Sequence, residues 1–330
     1  MRCILALLIV FTHAFTCYNH SWSEPAGYVD IPLYKWLSRI SFAFTLEAFT
    51  FISGYLFAFQ RITQKRAEKC IFLITHKAKR LILPSIIFSL AYFIIFNQYN
   101  GLNNFLFKII NGCGHLWYLP MLFWNFVGAW LLEQVKINDV CKLIFLIILN
   151  LFIVIPLPLR LSQACSFMIY FYSGYLTYKY SDIIKSAITP SRLVFGWLLF
   201  IIIFSTLRPM RDVLVYTSDA ERIYKLAILV GNNACQLLYA SIGAIAFYCT
   251  AVYYTKKHKP NTFTVKFSGY CFGIYIFQQF VLQQLYYKTH FSILVGPYWL
   301  PWCGFVIASI GSYLLTMSLL KTPIGRHLIG

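Results

Sequence analysis

Ten apolar runs, joined by short polar or basic connections, occupy most of this chain of 330 residues and limit what it can fold into. A run of about 20 apolar residues crosses a bilayer as a helix. Charged residues make up only 12% of the chain, against roughly 25% in a soluble domain. The pattern predicts an all-α fold, a polytopic integral membrane bundle of about ten transmembrane helices forming a single domain over residues 1–330. The runs lie near 3–18, 36–59, 81–97, 117–132, 141–157, 164–178, 194–207, 231–254, 266–286 and 300–320.

The positive charges are unevenly distributed between the two sides of this predicted bundle. If the N-terminus is inside, nineteen of the 28 Lys and Arg residues fall on the inner connections, which the positive-inside rule requires. Both termini are therefore predicted to be cytoplasmic. The 208–230 connection is an exception, because four cations lie there on the outer side, partly offset by Asp212, Asp219 and Glu221. The net charge of +18 does not indicate nucleic-acid binding, since the cations cluster at the ends of apolar runs.

The first run carries two residues that are unusual in an apolar helix, Arg2 and His13. They are eleven positions apart, about three helical turns, so a helix places both on one face roughly 16 Å apart along its axis. Arg2 would lie at the membrane surface and His13 near the midplane, where an ionisable side chain indicates a functional site. A secretory signal peptide has a similar composition. The poor cleavage site at Ala14–Cys17 and the membrane character of the remaining chain favour a retained helix.

The second run contains a buried acid, Glu47. It lies about twelve residues from the inner end near Phe59, or roughly 18 Å, and therefore at nearly the depth expected for His13. A carboxylate beside an imidazole fixes its tautomer and stabilises its protonated form, as a general base needs. The alternative is that each group is satisfied separately by backbone or water. Ser53 and Gly54, further along the run, also suit a contact between helices.

A basic stretch follows, from Arg61 to Arg80. Most cations of such a stretch serve topology and contact anionic lipid headgroups. Lys77, Lys79 and Arg80 directly precede the third apolar run, where they could bind a phosphorylated ligand, Arg through a bidentate fork and Lys as a point charge.

These residues form motifs that resemble the membrane-bound acyltransferase-3 family of bacterial envelope O-acyltransferases, and the resemblance covers nearly the whole chain. The motifs are Arg2-x10-His13, residues 47–54 (EAFTFISG) with Phe49, Ser53 and Gly54, residues 77–84 (KAKRLILP), and residues 114–119 (GHLWYL). The chain departs from the family pattern at Thr50, where Phe is usual, at Lys77, where Arg is common, and at Gln278, where His is frequent.

The resemblance implies transfer of an acyl group, most often acetyl from acetyl-CoA or another short acyl-CoA, to a sugar hydroxyl of a surface polysaccharide or its lipid-linked precursor. It implies a multi-pass protein of the bacterial inner membrane with no bound cofactor, in contact with membrane lipids. Arg2 and His13 correspond to the family's essential pair, and Arg80 to an Arg beside the donor. The donor phosphates would then lie at Arg2, Lys77, Lys79 and Arg80.

His13, supported by Glu47, would act as the general base or would carry the acyl group briefly, and the sequence leaves both routes open. His115, Trp117 and Tyr118, at the predicted outer end of the fourth helix, are candidates for the acceptor side because aromatic faces suit sugar rings. An ordinary aromatic belt at the membrane interface is the alternative for Trp117 and Tyr118.

A transporter is the rival function, because buried His and Glu residues also serve proton-coupled carriers and exporters of lipid-linked sugars. Such carriers usually have two related halves with paired broken helices, and this sequence contains no internal repeat. The ten Cys residues are scattered and have no metal-like spacing, so they are interpreted as packing residues, and no metal site is predicted.

Overall fold

The computed structural model describes residues 1–66, 69–96, 102–153, 157–215 and 222–330. Within these ranges the regular elements are all helices and no strand is present, so the predicted all-α fold is confirmed. The helices of the first half are α1 (Arg2–Ala14), α2 (Pro32–Phe42), α3 (Thr45–Ala58), α4 (Cys70–Lys77), α5 (Leu83–Phe96), α6 (Leu102–Asn111), α7 (Tyr118–Leu132) and α8 (Asp139–Phe152).

The second half is organised in the same way, with long helices linked by short ones. They are α9 (Leu161–Lys179), α10 (Ser181–Ser186), α11 (Pro190–Val215), α12 (Arg222–Lys257), α13 (Thr262–Ser268), α14 (Cys271–Tyr287), α15 (Phe291–Val295), α16 (Leu300–Leu320) and α17 (Pro323–Ile329). Two π-helical turns, Phe59–Thr63 and Ala78–Ile82, adjoin α3 and α4, and two 3₁₀ turns cover Thr16–Asn19 and Gly114–Trp117.

Five helical segments within the described ranges are long and apolar enough to cross a membrane. They are Pro32–Thr63, Cys70–Phe96, Pro190–Val213, Tyr224–Lys257 and Leu300–Leu320, with Arg2–Ala14 as a shorter apolar helix. Each of the ten predicted apolar runs contains a helix. A count of ten membrane crossings stays a prediction.

The run 36–59 is not one straight helix, because it breaks at Ala43 and Phe44 between α2 and α3. The Ser41 hydroxyl donates to the Ser38 carbonyl, and the Thr45 hydroxyl donates to the Ser41 carbonyl. Side-chain bonds of this kind compete with the backbone ladder and bend helices. The break separates α3, which carries Glu47, from the direction of α2.

The α3 and α9 helices form the closest crossing in the bundle, and glycine permits it. A Cβ atom added at Gly54 would overlap the Phe171 carbonyl oxygen, and one added at Gly174 would overlap the Phe51 carbonyl oxygen. Gly54 is therefore a contact between helices, one of the two interpretations that the sequence left open.

The α1 helix packs inside the bundle against α14 and α16. Leu5, Val10 and Ala14 on it are fully buried. At its N-terminal end, Arg2 lies beside the other end of the chain, because both Arg2 and Gly330 line one cavity. The two termini therefore share one end of the molecule.

The predicted connection 208–230 is largely helical, since α11 continues to Val215 and α12 begins at Arg222. Pro209 lies inside α11, and such prolines are tolerated in membrane helices because neighbouring groups satisfy the backbone atoms they release. Asp212 pairs with Arg39 of α2 at 2.7 Å and with Arg208 at 3.5 Å. The other two acids predicted to offset the local charge, Asp219 and Glu221, lie outside the described residues.

Candidate active site

A cavity of about 350 Å³ opens at the end of the bundle where the termini meet. Three cationic side chains line it, Arg2, Lys77 and Arg80. They come from α1, from the last residue of α4 and from the π turn that follows. The remaining wall is mainly aromatic and apolar, with Phe49, Ser53, Tyr118, Phe126, Phe272 and Tyr275 among its residues.

The three cations have no acidic partner in the described part of the chain, where no ion pair involves any of them. The Lys77 ammonium lies 3.7 Å from the centroid of the Phe126 ring. The Arg80 guanidinium donates to the backbone oxygen of Gly330. A concave site with uncompensated positive charge concentrates anionic ligands.

Lys79 does not line this cavity. Its side chain is exposed, and its predicted place beside Arg80 in the donor site is wrong in this respect. Lys77 and Arg80 are three positions apart and share a helix face, whereas Lys79 is two positions from Lys77 and therefore lies on another face. The π turn Ala78–Ile82 carries Arg80 at this point, and turns of this type are frequent at functional sites.

The α3 helix and the start of α7 form the inner wall of the cavity. Phe49 and Ser53 are four positions apart on α3, so both face it. The Tyr118 hydroxyl lies 3.0 Å from the hydroxyl of Thr50, the residue that replaces the usual Phe. Tyr118 thus lines the same cavity as the three cations, and its role on the acceptor side stays a prediction.

A glycine turn places His115 deep in the bundle. Gly112 has a φ of +80°, and a Cβ atom there would lie 2.6 Å from the Trp117 backbone nitrogen. The backbone N–H of His115 donates to Gln279 at 3.3 Å, and its carbonyl accepts from the Tyr275 hydroxyl. His115, only 5% exposed, is therefore a core residue at the N-terminal end of α7, and its role on the acceptor side stays a prediction.

Hydrogen bonding fixes which nitrogen of His115 can act as a base. Nε2 lies 2.9 Å from the Ile276 carbonyl oxygen, which can only accept, so Nε2 carries the proton. Nδ1 is buried and has no partner within the described residues. The neutral imidazole therefore presents an unused lone pair at Nδ1.

The His13 imidazole lies next to His115. The two ring centroids are 6.1 Å apart. Trp22 stacks on the opposite face of His13, with a centroid distance of 6.0 Å and an interplanar angle of 16°, and Phe42 contacts the ring edge-on at 5.9 Å. The His13 Nδ1 atom is also buried without a partner in the part of the chain described.

Glu47 does not join this pair. Its Oε1 accepts a hydrogen bond of 3.1 Å from Gln236 of α12, whereas His13 contacts Phe42, on the other side of the break between α2 and α3. The predicted contact between Glu47 and His13 is therefore wrong. A count of residues along one run could give similar depths but not the direction in which each side chain points.

Trp117 packs against Phe167 of α9, with a centroid distance of 6.0 Å. Three residues of the site escaped the sequence analysis: Trp22, Tyr275 and Gln279. Trp22 lies in the connection after the helix that carries His13. Its closeness to His13 in the sequence was the one signal that could have identified it as a site residue.

No group of three or more His, Cys, Asp or Glu residues within the described ranges is arranged to hold a metal ion. All ten cysteines are described, and no disulfide joins any two of them. The site combines an anion-binding cavity with two neighbouring imidazoles. Tyr275 links the two parts, because it lines the cavity and its ring lies 5.2 Å from that of His115.

A family model described as an acyltransferase domain matches residues 1–321. No curated protein and no solved structure matches the chain.

Proposed function

The chain belongs to the acyltransferase-3 family, and from this membership we propose that it is a membrane O-acyltransferase that moves an acyl group, in the first place acetyl from acetyl-CoA, to a hydroxyl of a cell-envelope sugar or its lipid-linked precursor. In this proposal the chain crosses the bacterial inner membrane about ten times with both termini in the cytoplasm. The donor enters from the cytoplasm, where acyl-CoA is made.

One observation carries the proposal: three cations without an Asp or Glu partner line a cavity together with Tyr275. The Tyr275 ring contacts His115, which in turn lies beside His13, and each imidazole has a buried Nδ1 atom without a partner in the described residues. Coenzyme A bears phosphates at one end and a thioester at the other. Arg2, Lys77 and Arg80 suit the phosphates, since charge-assisted hydrogen bonds to phosphate are the strong ones. The thioester arm then extends between the aromatic side chains towards His115.

The chemistry needs a base because a sugar hydroxyl is a poor nucleophile until its proton is removed, a contribution of about 10²–10⁴-fold. His13 takes that proton as the hydroxyl oxygen attacks the thioester carbonyl carbon. The C–S bond breaks, and the CoA thiolate leaves and takes up the proton. In the relay route, a His13 nitrogen attacks first, and the acyl group then passes from the imidazole to the sugar.

The acceptor approaches His13 from the side opposite the cation cavity. Trp22, partly exposed and stacked on His13, offers an aromatic face to a sugar ring there. Trp22 thus replaces Trp117 and Tyr118 as the aromatic residue of the acceptor side.

The test uses membrane vesicles that contain the protein, radiolabelled acetyl-CoA and endogenous glycan. Wild-type vesicles should incorporate label into alkali-labile O-esters, and vesicles with His13→Ala should incorporate about 10²-fold less or nothing. His20→Ala is the matched control, because His20 is exposed at the end of the same N-terminal segment, and it should leave incorporation unchanged.

Two outcomes would contradict the proposal. Equal labelling of wild type and His13→Ala would remove His13 from the chemistry. Movement of a lipid-linked sugar across the vesicle membrane with no covalent label would favour the transporter.

A further inference from the structure

A second cavity, of about 240 Å³, lies at the opposite end of α9 from Lys179. At roughly 30 Å³ per water it has room for about eight waters, enough for a single sugar ring. Its walls come from the end of α8, the first turns of α9 and one face of α12, and none of its lining residues is charged. They are Asn150, Ser162, Gln163, Ser166, Phe167, Tyr170, Asn233 and Gln236.

The polar groups of this cavity are only partly used by the protein. Asn150, 7% exposed, donates to the Ser166 carbonyl at 2.7 Å, but its Oδ1 atom is buried and has no partner in the described ranges. Asn233 donates to the Asn150 and Leu151 carbonyls at 3.3 and 3.1 Å. Both amides are therefore held by their NH₂ groups, and their oxygen atoms remain as acceptors.

Two further lining groups make no hydrogen bond to any described residue: the Gln163 amide and the hydroxyl of Tyr170, which is only 5% exposed. Buried polar groups in proteins almost always have partners. Among these groups Asn150 Oδ1 is buried without a partner, and the Gln163 amide and the Tyr170 hydroxyl face the cavity with their hydrogen bonds unused. This arrangement suits a ligand with many hydroxyl groups.

The Glu47 carboxylate fixes the orientation of the Gln236 amide. It accepts the Gln236 Nε2 hydrogen bond at 3.1 Å, so Gln236 also has its oxygen left for the cavity. Glu47 is thus a positioning residue for this second cavity.

Phe167 connects this cavity to the candidate active site. It lines the cavity and contacts Trp117, which follows His115 by two positions. An aromatic face among amides and hydroxyls matches a sugar, whose ring has an apolar face and a polar rim. A charged ligand would be left without a counter-ion here, and burial of an unpaired charge is costly.

We propose that this amide-lined cavity is a subsite for an uncharged sugar residue of the acyl acceptor. This rests on the proposed function for the role of the sugar, but not for its binding. The subsite binds neutral sugars in preference to uronic acids. The groups that bind the sugar are the side chains of Gln163 and Tyr170 and the amide oxygens of Asn150, Asn233 and Gln236.

The test is saturation-transfer NMR on the purified full chain in lipid nanodiscs. The probes are the methyl glycosides of glucose, galactose, mannose and N-acetylglucosamine, each at millimolar concentration, with methyl glucuronoside and methyl galacturonoside as anionic counterparts. At least one neutral glycoside should receive saturation, and the uronosides should receive less.

Two variants then separate ligand binding from folding. Gln163→Leu and Tyr170→Phe remove only groups without a protein partner, so the fold should be kept, while saturation of the neutral glycoside should fall about three- to tenfold. Gln284→Leu, exposed on α14, is the matched control and should leave the signal unchanged.

The inference is overturned if no neutral glycoside receives saturation, if the uronosides receive as much, or if Gln163→Leu and Tyr170→Phe bind as the wild type does. The proposed function fails separately, through equal acetyl incorporation by wild type and His13→Ala. Sugar binding without acetyl transfer would keep this cavity and reject the acyltransferase mechanism.

Discussion

Single residues around His13 depend on contacts between helices that are distant in the chain. His115 is held at three points, through its backbone N–H, its carbonyl and Nε2, by residues of α14. Its Nδ1 atom therefore has a fixed position although it has no partner of its own. A second imidazole so close to His13 can share the proton transfers that acyl transfer requires.

We predict that His115→Gln lowers the rate of acetyl transfer by about 10²–10⁴-fold. Glutamine can keep the hydrogen bond from its side-chain nitrogen to the Ile276 carbonyl, but it lacks a basic Nδ1. The measurement is the rate of label transfer from acetyl-CoA at saturating donor. Trp117→Phe is the control, because it changes a nearby side chain that packs against Phe167, and it should retain most of the activity. Full activity of His115→Gln would exclude the His115 imidazole from the chemistry.

The cations that line the cavity provide a second prediction for single residues. Lys77→Ala and Arg80→Ala should each raise the KM for acetyl-CoA by at least about tenfold, because each removes a charge-assisted hydrogen bond to phosphate. Lys79→Ala, two positions from Lys77 and outside the cavity, should leave KM within about twofold. Measured values of KM and kcat at a fixed acceptor concentration distinguish the three variants, and a large effect of Lys79→Ala alone would contradict the donor site.

Among the elements, the crossing of α3 and α9 decides how the site is assembled. The α3 helix contributes Phe49 and Ser53 to the cation cavity, and its Glu47 holds Gln236 of the amide-lined one, to which α9 contributes Gln163 and Tyr170. Since glycine at the crossing brings the two backbones into contact, it also sets the distance between the two cavities.

Gly54→Ala and Gly174→Ala are therefore expected to destabilise the protein, each by about 1–3 kcal/mol, because the added methyl group meets a backbone carbonyl that cannot move aside cheaply. Gly231→Ala is the matched control, since a Cβ atom there meets nothing within 4 Å. It should be neutral or stabilising by up to about 1 kcal/mol. The measurement is the thermal unfolding midpoint of the three variants in one detergent. An unchanged midpoint for Gly54→Ala would mean that α3 and α9 are not in contact at this position.

The whole molecule has two chemically different ends. One end carries the three unpaired cations, and on the same side a network joins α7, α8 and α9. In it, Asp139 accepts from Lys179 at 2.7 Å and from Tyr180 at 2.8 Å, and Glu133 accepts from Tyr172 at 2.7 Å. Trp22, the Asp212 ion pairs and the amide-lined cavity lie towards the other end. Under the proposed function, donor and acceptor would enter from different ends of the molecule.

This network predicts a dependence of stability on pH. Partial burial raises the pKa of Asp139, but hydrogen bonds from Lys179, Tyr180 and Tyr172 outweigh that effect and lower the pKa from its ordinary value of 3.8. A lowered pKa in the folded state means that Asp139 stabilises the fold above pH 3.8 and loses this contribution as the pH falls through the lower, folded-state value. The expected size is about 0.2–1 kcal/mol, because Lys179 is largely solvated.

Asp139→Asn should therefore lower the unfolding temperature at about pH 6 and reduce the difference between neutral and acidic pH. Asp182→Asn, at an exposed carboxylate nearby in α10, is the control. Identical pH profiles for Asp139→Asn and the wild type would mean that the network contributes no stability.

Orientation in the membrane gives a prediction for the molecule as a whole. A C-terminal green fluorescent protein should fluoresce, which requires the cytoplasmic side, and an epitope inserted between Glu24 and Pro25 should be labelled by antibody on intact spheroplasts. The physical reason is the excess of Lys and Arg at the end that holds both termini. An epitope that is accessible only after the membrane is permeabilised would reverse the proposed orientation.

Much of this architecture could be predicted from the sequence. Apolar runs with cations at their ends dictated helices, since only a helix satisfies the backbone of such a run in lipid. The basic stretch before the third run predicted an anion-binding surface, although the sequence did not separate Lys79 from Lys77 and Arg80. His13 was identifiable because an imidazole is costly in an apolar helix and is kept there for a reason.

Only the tertiary structure decided which groups meet. The depth of a residue follows from counting along a helix, but its direction depends on how that helix is rotated and on where it breaks, as the one at Ala43 and Phe44 does. This is why His13 meets His115 and Trp22, while Glu47 turns to Gln236. Hydrogen bonds and glycine contacts between distant helices set those rotations, and no local pattern in the chain encodes them.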